Sequence, residues 1–221
     1  MSNFKQILKH GRNYLIANLA TKALAFISIP VYTRLLSTEG YGVVSVFIGV
    51  AGILTSIMAL SMDRSISRYY FDQKGIEDFQ RFNGTSFLLS IMAFVMNSIL
   101  LFSFAENFGG LVGLEKEVVY LLIPFTLINI IGLTFQQIYG PQKKSKTIAI
   151  TSLYKVYIGF GLSVLLIFIF TENKYFGLLY GQILAGFIIS VYWIKKIASY
   201  FRICFDKNHL KYIFNYSVPL I

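Results

Sequence analysis

Residues Tyr14 to Leu35 form an almost unbroken apolar run with a lysine, Lys22, near its middle. About twenty consecutive apolar residues is the length of helix that crosses the hydrocarbon core of a bilayer. On a helix, Tyr14, Asn18, Thr21, Ala25, Ser28 and Tyr32 fall on one stripe, and Lys22 borders it. Leu15, Leu19, Leu24, Phe26, Ile27 and Val31 take the opposite side. One face suits lipid and the other a bundle interior or a wet cavity. The run closes on Pro30, Arg34 and a turn-like stretch from Ser37 to Gly42. A membrane protein with a polar interior is expected.

The rest of the chain repeats the pattern. Of its residues 56% are hydrophobic and only 14% charged, with mean hydropathy +0.64; a soluble domain carries about 25% charged residues. The apolar residues gather into spans read as Tyr14–Leu35, Gly42–Met62, Phe82–Phe104, Val118–Tyr139, Thr147–Phe170 and Tyr175–Ile194. Residues 195–211 read as a basic loop, and Tyr212–Ile221 as the start of a seventh span. The expected fold is therefore an all-α polytopic membrane protein. Its six transmembrane helices form one bundle (residues 1–194), followed by the opening of a seventh. No small-residue cleavage site follows a short apolar core, so the first helix is expected to direct insertion itself.

Charge gives the orientation. The N-terminal tail (Lys5, Lys9, Arg12) and the even-numbered loops (Arg64, Arg68, Lys74, Arg81; Lys143, Lys144, Lys146; Lys195, Lys196, Arg202, Lys207, Lys211) hold fifteen bases. The odd-numbered loops hold three: Arg34, Lys116 and Lys174. Excess lysine and arginine mark the cytoplasmic side, which puts the N-terminus inside. The net charge of +10 is thus a topology signal rather than a nucleic-acid footprint. Acids sit only in loops or at span ends, whereas Lys22 and Lys155 lie within spans.

Polar or small residues recur on one face of the later spans. They are Gly42, Ser45, Gly49, Gly52, Ser56 and Ala59 in the second span; Ser86, Ser90, Ala93 and Asn97 in the third; and Thr126, Asn129 and Gln136 in the fourth. The fifth has Thr151, Ser152, Lys155, Gly159 and Ser163, and the sixth Gly177, Gly181 and Ala185. Close helix packing explains any one such stripe; their recurrence points to an internal cavity. Asn18, Thr21, Asn97, Asn129 and Gln136 are its expected polar lining.

Chemistry is sparse. No glycine-rich loop leads into Lys-Ser or Lys-Thr, no catalytic set is arranged, and no metal-ligand spacing occurs, so neither enzyme activity nor a cofactor is expected. Cys204 is a single cysteine. His10 and His209 read as isolated, interfacial and solvated, and the sequon Asn83-Gly84-Thr85 falls on the cytoplasmic side as a chance match.

Three stretches together resemble a known family. The junction Tyr32-Thr33-Arg34-Leu35-Leu36-Ser37-Thr38-Glu39-Gly40-Tyr41-Gly42 is similar to the "R-L-L … G-x-Y-G" between the first two helices of oligosaccharide flippases. These are the polysaccharide biosynthesis (O-antigen flippase) proteins of the multidrug/oligosaccharidyl-lipid/polysaccharide exporter superfamily. Ser61 to Phe71 resembles their "G-M-D-x-A-I-x-R-F/Y", and Tyr216-Ser217-Val218-Pro219-Leu220 their "G-x-P-L". Gly140-Pro141 stands where relatives often carry an arginine, so no functional residue is carried over there.

The resemblance implies two pseudo-symmetric bundles around a cavity that opens alternately to each side. It implies a bacterial cytoplasmic (inner) membrane location and a glycan on an undecaprenyl pyrophosphate carrier as substrate. Family members are about twice this length, so the chain corresponds to the first bundle. A second bundle is expected from a missing C-terminal half or a second copy. On this reading Lys22 and Lys155 meet the carrier's phosphates, and Arg68 at the cytoplasmic mouth draws them in. Two alternatives remain. A cation-coupled multidrug exporter commonly keeps an acid inside the first bundle, and none is present here; a non-transporting fragment or assembly subunit is the other.

Overall fold

The computed structural model describes residues 19–24, 26–59 and 62–217. Among them every regular element is helical. Residues 19–24 and 26–35 form α1. There follow α2 (Thr38–Ala59), α3 (Met62–Asp72), α4 (Ile76–Ser103), α5 (Ala105–Val112), α6 (Lys116–Tyr139), α7 (Ser145–Ile169), α8 (Tyr175–Ile197), a 3-10 turn (Ala198–Tyr200) and α9 (Lys207–Ser217). Five of these, α2, α4, α6, α7 and α8 with its 3-10 turn, are long and apolar enough to cross a membrane. The all-α polytopic fold expected from sequence is the one observed. The first span is described only from Leu19 onward, so six is an approximate count.

The helices group into two interleaved compact units. One holds the described residues through Ser45 with Gln142–Ile189; the other holds Val46–Pro141 with residues 190–217. In the first unit, Ser37 caps α2: its Oγ accepts from Gly40 N at 3.1 Å. Gly40 lies under the ring of Tyr175, where a Cβ would come 3.5 Å from Cδ1. The serine and glycine of the junction motif are thus a helix cap and a close approach. The stripe Gly177, Gly181, Ala185 is buried, and the backbone of α7 packs directly on its glycines. A Cβ on Gly177 would sit 2.7 Å from Ile167 N. Ser163 Oγ donates to Leu178 O (3.0 Å) across the same contact.

In the second unit, α3 packs on α4, α6 and α9. Phe47 of α2 meets Phe125 of α6 edge to face, 5.2 Å between centroids, and Gly132 of α6 admits the indole of Trp193.

Three boundaries differ from the sequence reading, each for a physical reason. Helix α4 begins at Ile76 rather than Phe82. At 1.5 Å per residue its 28 residues span about 42 Å, more than the roughly 30 Å hydrocarbon core. Charge marked where the membrane begins, not where the helix does. Residues 63–72, read as loop because they are charged, belong to the amphipathic α3, with Ser65, Ile66 and Tyr69 buried and Arg64, Arg68 and Asp72 exposed. Helix α9 starts at Lys207, inside the stretch read as a basic loop, because Asp206 caps it: Oδ1 accepts from Asn208 N at 2.8 Å.

The small-residue stripe of α2 is not the packed face expected. Gly42, Gly49 and Gly52 are exposed, and a Cβ at each meets nothing within 4 Å. The helix instead buries Val44, Phe47, Ala51, Leu54 and Met58. This yields a paired prediction for thermal unfolding in detergent. Gly177→Val forces α7 and α8 apart and costs about 1–3 kcal/mol, lowering the midpoint. Gly49→Ala leaves the midpoint unchanged or raises it through helix propensity.

Candidate functional site

Within the first unit, Lys22 lies in α1 and is exposed, while Thr21 beside it is half-buried. Lys155 is ten residues into α7 and half-buried. The two helices touch where Tyr32 packs on Phe160, 5.7 Å between ring centroids. Successive spans alternate in direction, so α1 and α7, the first and fifth, run the same way. From that contact Lys22 is ten residues back and Lys155 five, an axial offset of about 8 Å. Around α7, at about 100° per residue, Lys155 lies roughly 140° from Phe160 and so points away from the α1 contact. Asn18 lies outside the described residues.

The rest of α7's stripe is packing. Thr151 is buried with its hydroxyl on Thr147 O (3.0 Å); Gly159 lies under the amide of Gln182; Ser163 also accepts from Gln182 Nε2 at 3.3 Å.

The other expected residues belong to the second unit. Asn97, Asn129 and Gln136 are half-buried. Asn97 Nδ2 donates to Ala93 O of its own helix at 2.8 Å. Thr126, on the same stripe as Asn129, is fully buried with its hydroxyl 2.7 Å from Leu122 O. Arg68 is exposed on α3, with Nε 3.5 Å from Asp72 Oδ2. Tyr212 of α9 donates to that same oxygen at 2.6 Å.

The most connected polar group was not anticipated. His209, expected to be solvated, is only 6% exposed. Its Nε2 lies 3.1 Å from Asp78 Oδ1 and 3.1 Å from Tyr69 Oη. Asp78 Oδ2 accepts from Tyr69 Oη (2.8 Å) and from Lys74 N (3.0 Å). An ionised carboxylate only accepts, so Nε2 carries the histidine's proton toward it. Burial first, then the adjacent Asp78 carboxylate, pushes the Tyr69 phenol well above its ordinary value, so it stays a donor. Tyr69 also stacks on Phe82 at 3.9 Å and 7°. Three elements, α3, the start of α4 and α9, are thereby tied at one point. His209 and Asp78 are 131 positions apart, so no local spacing could pair them. The available clue was the Asp206 cap, which starts a helix with His209 and Ile213 on one face.

A second tie replaces the chance sequon. Asn83, Gly84 and Thr85 are all buried beneath residues 198–206. Asn83 Nδ2 donates to Tyr200 O (3.0 Å) and Thr85 Oγ1 to Cys204 O (2.8 Å). Arg202 N donates to Gln80 O (3.0 Å), and the Arg202 carbonyl rests on Gly84 so closely that a Cβ would collide with it.

The model of the family described as polysaccharide biosynthesis protein matches residues 7–221, nearly the whole chain. This chain belongs to that family. It is a multi-pass membrane protein with the fold of a transporter. A Haemophilus influenzae Lsg-locus protein is 29% identical over 66 residues, 30% of this chain and 16% of that protein. A MATE in complex with Br-NRF superposes with TM-score 0.73 at 18% identity, covering 97% of this chain and 53% of its own. A MOP superfamily transporter from Pyrococcus furiosus, described as having a binding pocket of reverse polarity that suggests a different function, gives 0.72 at 17%, covering 97% and 51%. This chain thus spans about half the length of the solved transporters it matches. At such identities the likeness is one of fold.

The polar tie at His209 carries a prediction. His209→Ala leaves Asp78 without that donor and costs α9 about 1–3 kcal/mol of local stability. Amide exchange of Lys207–Ser217 then quickens while the α7–α8 contact stays protected. Tyr69→Phe, which keeps the stack on Phe82, has the smaller effect.

Proposed function

We propose that this chain supplies one bundle of a flippase that moves oligosaccharide linked to undecaprenyl pyrophosphate across the bacterial cytoplasmic membrane, with the N-terminus in the cytoplasm. A second bundle, from a C-terminal half or a second copy, completes the cavity. The observation that carries the reading is the sign of the charge inside the described spans. Every acid in the five described spans lies in a first turn (Glu39, Glu77, Asp78, Glu117), whereas Lys155 lies ten residues into α7 and Lys22 lies in α1.

An ammonium near the centre of a span costs about 2.5–3.5 kcal/mol on insertion scales. A pyrophosphate crossing the same region has the complementary problem, since burying an anion costs many kcal/mol unless it meets a counter-charge. Each group solves the other's. Asn18 and Thr21, neighbours of Lys22 in the sequence, then serve the neutral glycan. The reverse polarity described for the Pyrococcus furiosus transporter supports the idea that this fold carries pockets of either sign.

In cells whose surface glycan depends on this chain, Lys22→Ala abolishes export at normal membrane levels, Lys22→Arg keeps part of it, and Lys155→Ala reduces it. Wild-type export by Lys22→Ala, or loss only through failed insertion, overturns the assignment.

A further inference from the structure

The exposed face of α7 carries two side chains that packing does not explain. On the buried face, Gly159, Ser163 and Ile167 meet α8 at Gln182, Leu178 and Gly177. Away from that seam, Ile150, Tyr154, Tyr157, Gly161, Leu165 and Phe168 recur at steps of three and four, and all are exposed. Isoleucine, leucine and phenylalanine suit a hydrocarbon surround. The tyrosines, 58% and 50% exposed, do not suit one at their depth.

Tyr157 is the middle residue of the 25-residue helix, about 18 Å from either end, and Tyr154 lies three residues nearer its start. The charges that bracket the apolar run, Lys146 and Glu172, are eleven and fifteen residues from Tyr157. Half the hydrocarbon core measures about 15 Å, so the Tyr157 phenol reaches neither membrane surface. Tyrosine is enriched at those surfaces, where its ring meets lipid and its hydroxyl meets water. In mid-membrane a lipid-facing hydroxyl has no partner, and neither of these bonds a described residue of the protein. This face therefore calls for an occupant with both apolar surface and hydrogen-bonding groups. A closely packed helix fits poorly, because such contacts are built on small residues and two tyrosine rings hold a neighbour off. A sugar ring fits well. Its C–H face suits the negative face of an aromatic ring, and its rim of hydroxyls suits the phenol oxygen.

We propose that Tyr154 and Tyr157 form a platform on which the sugar rings of a lipid-linked glycan stack. This rests on the reading of the chain as part of a flippase, and it adds the residues that meet the glycan rather than the phosphates. Lys155 follows Tyr154 in the sequence and lies about 100° further round the helix. A phosphate at the lysine and the sugar attached to it thus meet adjacent sides of α7.

The test compares undecaprenyl pyrophosphate with and without one N-acetylglucosamine, binding to the full chain in neutral nanodiscs. The sugar is expected to tighten binding at least fivefold. Tyr154→Ala with Tyr157→Ala abolishes that gain and leaves the affinity for the bare carrier unchanged. Tyr154→Phe with Tyr157→Phe, which keeps both rings, retains part of it. Equal binding of the two carriers by the unmodified chain overturns the platform and leaves the phosphate reading standing. If neither carrier binds better than undecaprenol, the phosphate reading falls and the platform with it. A second measurement reads the surroundings of the face directly. With Cys204→Ser in place, Tyr157→Cys in cell membranes is expected to react with a membrane-impermeant thiol reagent from at least one side. The glycosylated carrier slows that reaction at least threefold. Protection from both sides, as lipid or a packed helix would give, overturns the proposal.

Discussion

In hydrocarbon every polar group must find its partner inside the protein, and the arrangement of this chain follows from that constraint. Helices satisfy the backbone, and several threonine hydroxyls follow the same economy. Thr55, Thr126, Thr134 and Thr151 each bond a carbonyl one turn back in their own helix, at 2.6, 2.7, 2.9 and 3.0 Å. Such residues sit in a spanning helix without needing water or substrate. A lysine cannot be settled this way. A carbonyl meets its hydrogen-bonding capacity but not its charge. Lys22 and Lys155 therefore differ in kind from the hydroxyls beside them.

Much of this was legible in the sequence. Span length and composition fixed the helical membrane class, and the serine and glycine of the junction motif turned out to be the cap of α2 and its close approach to Tyr175. Small-residue stripes were legible only in part, because a stripe does not say whether a neighbour fills it. The glycines of α8 are packed on α7 as expected, whereas Gly42, Gly49 and Gly52 of α2 face open space while bulkier residues make the contact. Charge also misled. In α3 and at the start of α4 it marked the membrane surface, but helices continue through that surface as amphipathic or polar turns. The Tyr69–Asp78–His209 tie was illegible, since it joins residues more than a hundred positions apart.

That tie and the Asn83–Thr85 seat give the second unit a shared logic. The first ties α9 to α3 and α4, and the second seats the segment after α8 on α4, both through polar contacts. A stacked tyrosine, a buried histidine and a carboxylate make a junction that is specific in geometry and remains replaceable at modest cost. The first unit has the opposite character, with tight glycine contacts between α7 and α8 and exposed positive charge on α1. In the proposed transporter the first unit carries the charge that meets substrate, and the second anchors the helix that follows.

The central claim is that the interior presented by this chain selects for anionic lipid head groups. Its most direct test is equilibrium binding of undecaprenyl pyrophosphate, undecaprenol and a lipophilic cation to the chain in neutral nanodiscs. The three ligands share apolar bulk and differ in charge. The account predicts that the pyrophosphate binds at least tenfold more tightly than the alcohol, that added salt narrows the gap, and that the cation does not compete. Equal binding of pyrophosphate and alcohol, or a preference for the cation, would contradict it.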